Sequence, residues 1–161
     1  YYSLMMCQNI EYKEYIKSKW SLVFIGTIIS TVLACFIYSF LGTDAVFAVL
    51  AGGLYNMGVN GYLTLWAGAY TKTPVDLDSS KMAFGGRKAF NMKTLLISLP
   101  QMALPLLLFW IGYNYYSIFI GCLIVGLTGV IGILLKDLVF KLIIRAYKSE
   151  KYSTLKAYKQ T

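Results

Sequence analysis

The chain has no histidine, three cysteines and three prolines, and Asp, Glu, Lys and Arg supply only 14% of its 161 residues. Without histidine there is no His-based catalytic triad and no His-containing metal site. Three thiols cannot all pair with one another, so no closed disulfide framework is expected. A water-soluble domain usually needs about 25% charged residues to cover its surface, and this chain falls well short. What it has instead is 58% hydrophobic residues, 16% aromatics and a net charge of +8. That balance points to an integral membrane protein, and the placement of the charges becomes the informative feature. The chain opens on Tyr1, not Met, and is expected to belong to a longer protein.

All fifteen basic residues fall in three blocks. Lys13, Lys17 and Lys19 precede residue 20. Lys72, Lys81, Arg87, Lys88 and Lys93 occupy the middle. Lys136, Lys141, Arg145, Lys148, Lys151, Lys156 and Lys159 form the tail. Between residues 20 and 71 the single charge is Asp44, and residues 94–135 carry none. By segment the net charge runs +1, −1, +3, 0 and +5.

The first uncharged run is interrupted at Gly42-Thr43-Asp44 and the second at Gly112-Tyr113-Asn114. Each half holds about 20 residues, enough to cross a hydrocarbon core of ~30 Å as a helix. The expected spans are about 21–41, 45–69, 94–112 and 115–135. The two short turns carry no Lys or Arg, so the positive-inside rule puts both termini and the middle loop in the cytoplasm. The expected fold class is therefore all-α: a polytopic membrane protein whose four transmembrane helices form two hairpins. A soluble helical core would need polar faces that these runs lack. The first span is not read as a signal peptide, because a charged stretch precedes it and no small-residue cleavage site follows.

Residues 1–19 mix aromatics with both signs of charge, and Ile10, Tyr15 and Ile16 recur near helical spacing. They read as an amphipathic helix at the cytoplasmic interface leading into the first span, the alternative being a solvated linker. Trp20 and Tyr38 suit the two interfacial belts. In the second span, Gly53, Asn56, Asn60, Thr64 and Ala67 fall within roughly an 80° stripe. Amides in hydrocarbon are costly without partners, so this stripe faces other helices or a wet cavity. Interhelical packing and a substrate path both fit.

The third span holds Pro100 and Pro105, each of which removes a helix hydrogen bond and clashes with the preceding turn, so a kink or break is expected. Gln101 lies beside it and is placed to satisfy a freed carbonyl. The fourth span sets Gly121, Cys122, Gly126, Gly129 and Gly132 on one side, a small-residue face for tight packing. Cys122 and Cys35 read as small apolar fillers, and Cys7 as a reduced cytoplasmic thiol. Residues 136–161 continue as a basic amphipathic tail: Leu138, Leu142 and Ala146 alternate with Lys141, Arg145 and Lys148, a pattern suited to anionic lipid headgroups and not read as nucleic-acid binding.

The cytoplasmic loop 71–93 begins with Pro74, which blocks helix continuation. Asp76, Asp78 and Ser79 offer helix N-caps, and Gly85-Gly86 a helix end. Such a short helix is either a docking point for a partner, marked by Pro74, Asp76, Asp78, Arg87 and Lys88, or a plain connector. Gly85-Gly86-Arg87 lacks the spacing and the Lys-Ser/Thr pair of a phosphate loop. No expected span contains an ionisable Asp, Glu, Lys, Arg or His, which argues against proton coupling, a metal site or enzyme chemistry in this segment; no cofactor is expected.

The stretches QNIEYKEYIKSKW, GGLYNMGVNGYLTLWAGAYTKTPVDLDSSKMAF, SLPQMALPLLL and KSEKYSTLKAYKQT, in that order, resemble the C-terminal part of a family of many-span bacterial inner-membrane proteins. That family has no established function and is similar to ABC exporter permeases. The resemblance implies further spans upstream, a bacterial inner-membrane location and a separate ATPase subunit as partner. On that basis the expected role is a permease part that couples a cytoplasmic ATPase to export, homo- or hetero-oligomeric. The rival is a non-transporting membrane scaffold.

Overall fold

The computed structural model describes residues 11–70 and 92–159, with side chains over 11–70 and 99–151. The described chain is helical throughout, with no strand. Helix α1 (Tyr12–Tyr38) tightens into a 3-10 turn at Ser39–Leu41. Gly42 then reverses the chain at φ 120°, a conformation that L side chains rarely adopt, and starts α2 (Thr43–Tyr55). A π-helical turn at Asn56–Asn60 joins α2 to α3 (Gly61–Tyr70). Asn56 and Gly61 keep right-handed helical angles, so α2, the wide turn and α3 form one continuous run. Helices α4 (Met92–Tyr115), α5 (Ile118–Leu134) and α6 (Lys136–Lys159) complete the chain. Ser117 caps α5 by accepting from the Ile120 amide at 3.4 Å.

Among the described residues, Tyr12–Leu41 is long and apolar enough to cross a membrane. The pair Ile118–Leu134 and Lys136–Lys151, bent by 70°, meets the same test together. Residues 12–19 are the first turns of α1 and run on without a break, with Ile16 and Trp20 buried on the same helix face. Trp20, expected in an interfacial belt, is buried in the core, whereas Tyr38 is exposed. The turn expected at Gly112-Tyr113-Asn114 lies further on, at Tyr116 and Ser117. Gly112 stays helical because its missing side chain serves contact, not reversal: a Cβ there would lie 2.6 Å from the Gly121 Cα. Helix α4 also continues through Pro100 and Pro105 without a break. Bundle neighbours and local adjustment accommodate the carbonyls that proline frees.

Two cores hold the bundle. In the first, α5 lies against α2 and the wide turn with backbones in contact. A Cβ on Gly58 would overlap the Gly129 carbonyl, one on Gly129 would meet the Leu54 carbonyl and the Tyr55 amide, and one on Gly132 would strike Gly58. Small residues permit such an approach, and the dispersion contacts it gains are the main attraction between helices in an apolar solvent. Ala51, Tyr55, Cys122 and Val125 are buried around this seam, with Leu108 and Phe109 of α4 against them. The small-residue face read from the sequence of α5 is thus the face that packs.

The second core joins the N-terminal end of α1 to α3 and α6 through Ile16, Trp20, Tyr62, Leu65, Phe140, Ile143 and Tyr147. Trp20 stacks on Phe24 with ring centroids 4.6 Å apart and meets Phe140 edge-on. The Lys136 ammonium sits 4.0 Å above the Trp20 ring, a cation–π contact at the α5–α6 elbow. The Tyr147 hydroxyl donates to the Leu65 carbonyl at 3.1 Å. Helix α6 therefore does more than lie on a surface: Phe140, Ile143 and Tyr147 recur at helical spacing and bury one face against α1 and α3.

The seam makes a paired prediction. Gly58→Ala lowers stability by about 1–3 kcal/mol, because the obstruction is backbone that cannot rotate away. Gly26→Ala, with nothing within 4 Å of the added carbon, leaves stability unchanged or raises it by up to about 1 kcal/mol. Thermal unfolding of the purified variants in detergent reads both.

Candidate functional site

The wide turn presents different residues on its two sides. Gly58 points at α5 and is buried, while Asn56 is exposed and Asn60 half-buried on the other side. The Asn56 carbonyl accepts from the Gly61 amide, five residues on, which widens the turn and lets both sides coexist. Such turns inside α-helices recur at functional sites.

The polar side chains form a connected chain. The Asn60 Nδ2 donates to the Asn56 Oδ1 at 2.6 Å, and the Thr64 hydroxyl donates to the Asn60 carbonyl at 2.8 Å. From α4, the Gln101 Nε2 donates to the Thr64 Oγ1 at 3.3 Å. Gln101 thus reaches across to the neighbouring helix, where it had been expected to serve a carbonyl freed within its own. The Asn60 Oδ1 is buried with no hydrogen-bond partner, an acceptor left open beside the two exposed groups. Buried amide oxygens are almost always satisfied, so an open acceptor here is unusual.

A cavity of about 170 Å³ lies between α2, α4 and α5, lined by Gly52, Pro105, Phe109, Cys122 and Val125 among others. Gly52 is one helical turn from Asn56 and Pro105 one turn from Gln101, while the amides themselves are not among the residues that line this cavity. Pro105 contributes a wall there, and Pro100 is exposed. A second hollow of about 270 Å³, lined almost wholly by apolar side chains, runs between α2 and α5 under the Phe47–Phe119 edge contact.

The sequence-predicted intramembrane residues Asn56, Asn60 and Gln101 are therefore brought together. Pro74, Asp76, Asp78, Arg87 and Lys88 lie outside the described residues. No group of three or more Cys, Asp or Glu side chains able to hold a metal exists among the described residues. The arrangement offers neutral hydrogen-bond donors and acceptors, suited to binding or passing a polar group and not to proton transfer. The junction of Trp20, Lys136 and Tyr147 was not foreseen. Its signal was the spacing of Phe140, Ile143 and Tyr147, masked by the more conspicuous alternation of Leu138 and Leu142 with basic residues.

Across residues 1–161 the chain matches the model of a family described as a family of unknown function (DUF5687). The chain belongs to this family. No curated protein and no solved structure matches it.

The open acceptor yields a stability prediction. Asn60→Leu removes one hydrogen bond but also an unsatisfied buried oxygen, so the unfolding temperature stays level or rises, within about 1 kcal/mol. A fall of several kcal/mol on thermal unfolding would mean that the Asn60 oxygen holds a structural partner.

Proposed function

We propose that the chain is the C-terminal, four-span membrane part of an ABC-exporter-like permease in the bacterial inner membrane. In this reading α1, the α2–α3 run, α4 and α5 cross the bilayer as two hairpins, with both termini and the loop 71–93 in the cytoplasm. The charge blocks support that orientation. So do the large side chains left in solvent, such as Leu22, Phe36, Leu106 and Leu134, which suit contact with lipid. ATP hydrolysis belongs to a separate subunit, docked through Pro74, Asp76, Asp78, Arg87 and Lys88.

The single observation that carries a transport role over a purely structural one is the exposed amide cluster at the wide turn. Asn56 is open and Asn60 has an unsatisfied oxygen, and a cavity between three helices begins at Gly52, one turn before Asn56. Amides at that depth need a wet path or a polar substrate group. The third and second spans line this path together, and the prolines of α4 lower the cost of bending it.

A scaffold is the second reading. The bond from Gln101 to Thr64 joins two helices, as expected of interhelical glue. The two readings separate on flux. With the full-length protein co-purified with a neighbouring-gene ATPase, the permease reading predicts stimulated ATP hydrolysis that Asp76→Lys and Arg87→Glu abolish. It also predicts that Asn56→Leu and Asn60→Leu stop substrate export while the complex stays assembled. Assembly without stimulation, or a change in assembly with flux untouched, supports the scaffold.

A further inference from the structure

Helix α6 has a second face that the bundle does not use. Its buried side is spent on Phe140, Ile143 and Tyr147. On the opposite side Leu138 and Leu142 are 59% and 60% exposed, one turn apart. Lys141, Arg145 and Lys148 are exposed beside them, at the spacing that keeps them in one row along the helix. The acids nearest this row in sequence are Glu150, two residues after Lys148, and Asp137, four before Lys141. The elbow gives the face its setting. Helix α6 leaves α5 at 70°, so if α5 crosses the bilayer, α6 runs closer to the membrane plane than to its normal. The exposed apolar side chains Ile131, Leu134 and Leu135 carry the lipid-facing surface of α5 around the bend to Leu138.

We infer that this outer face of α6 docks on the anionic phospholipid surface of the cytoplasmic leaflet. Leu138 and Leu142 enter the boundary between headgroups and acyl chains, and Lys141, Arg145 and Lys148 extend to the phosphates. Long basic side chains place their stems along apolar surface and their charges at headgroup level, which suits a row beside two leucines. A zwitterionic surface offers the leucines a place but gives the cations little attraction, so docking depends on anionic lipid. Because the other face of α6 grips Trp20, Tyr62 and Leu65, the docked helix ties the bilayer surface to the ends of α1 and α3. The inference rests on the membrane reading and adds a lipid requirement to it.

The test uses the whole chain in vesicles of phosphatidylcholine with or without phosphatidylglycerol. An environment-sensitive fluorophore is placed by Leu142→Cys in a chain whose other cysteines are alanine. With phosphatidylglycerol present, the emission shifts to the blue and quenching by iodide falls severalfold. Each basic residue at such a surface contributes roughly fivefold to the docked population. The triple variant Lys141→Glu, Arg145→Glu and Lys148→Glu therefore loses docking by at least on the order of a hundredfold, and its label matches that in neutral vesicles. Equal quenching in both vesicles, or indifference to charge reversal, overturns the inference; an acidic protein as the true partner gives that result. Should the cysteine-free chain not fold, hydroxyl-radical labelling of Leu138 and Leu142 in the native sequence reads the same protection. Resistance to alkaline extraction reports the spans separately: extraction of the chain refutes the membrane reading, whereas a retained chain with exposed leucines refutes only the docking.

Discussion

The contact on which the architecture depends is backbone against backbone, where Gly58 of the wide turn meets Gly129 and Gly132 of α5. In the proposed membrane setting, burying leucine against leucine brings little gain, because lipid offers the same contact. Close approach through small residues, with its many short-range contacts, is what remains. Any side chain at these positions would push the helices apart. The wide turn belongs to the same constraint: it carries Gly58 to α5 while leaving Asn56 and Asn60 on its other side. Tight packing and amide presentation thus arise from five consecutive residues, Asn56–Asn60.

The second core solves a different problem. It lies at the end of the bundle where the charges gather, and it is built from aromatics with polar tips. Trp20 lies beneath the Lys136 ammonium, and Tyr147 donates to a backbone carbonyl of α3. Such side chains are apolar along their bodies and hydrogen-bonding at one end, which suits the lipid–water boundary of the proposed membrane reading. The elbow between α5 and α6 is fixed from both sides by this cluster, so the basic helix is held in place even before any surface meets it. The two cores are built from different residues.

Much of this was legible in the residues. The glycine face of α5 and the stripe of Asn56, Asn60 and Thr64 follow from helical periodicity, and the reversal at Gly42 follows from a glycine between two apolar runs. What failed to show did so for physical reasons. Gly112 carries the same turn signal as Gly42, but a glycine serves close helix contact equally well, and only the partner Gly121 reveals which role applies. The first nineteen residues look separable because charge enters the pattern at Lys19. The helix ignores that boundary, since burial of Ile16 and Trp20 depends on α6, more than a hundred residues away. In α6 the alternation of leucines with lysines points to a surface helix, and the quieter repeat of Phe140, Ile143 and Tyr147 becomes decisive only against Trp20 and Leu65. Gln101 was placed correctly beside its proline and given the wrong partner, because the nearest carbonyl in sequence is not the nearest acceptor in space.

The central claim is that the helices form a four-span bundle with both ends on the cytoplasmic side, and labelling of single cysteines in intact cells tests it most directly. With the native cysteines replaced, Thr43→Cys and Tyr116→Cys should react with a membrane-impermeant maleimide from outside. Ser149→Cys should react only after the membrane is opened. Reaction of Ser149→Cys from outside, or protection of either turn position in intact cells together with reaction after permeabilisation, would contradict the account.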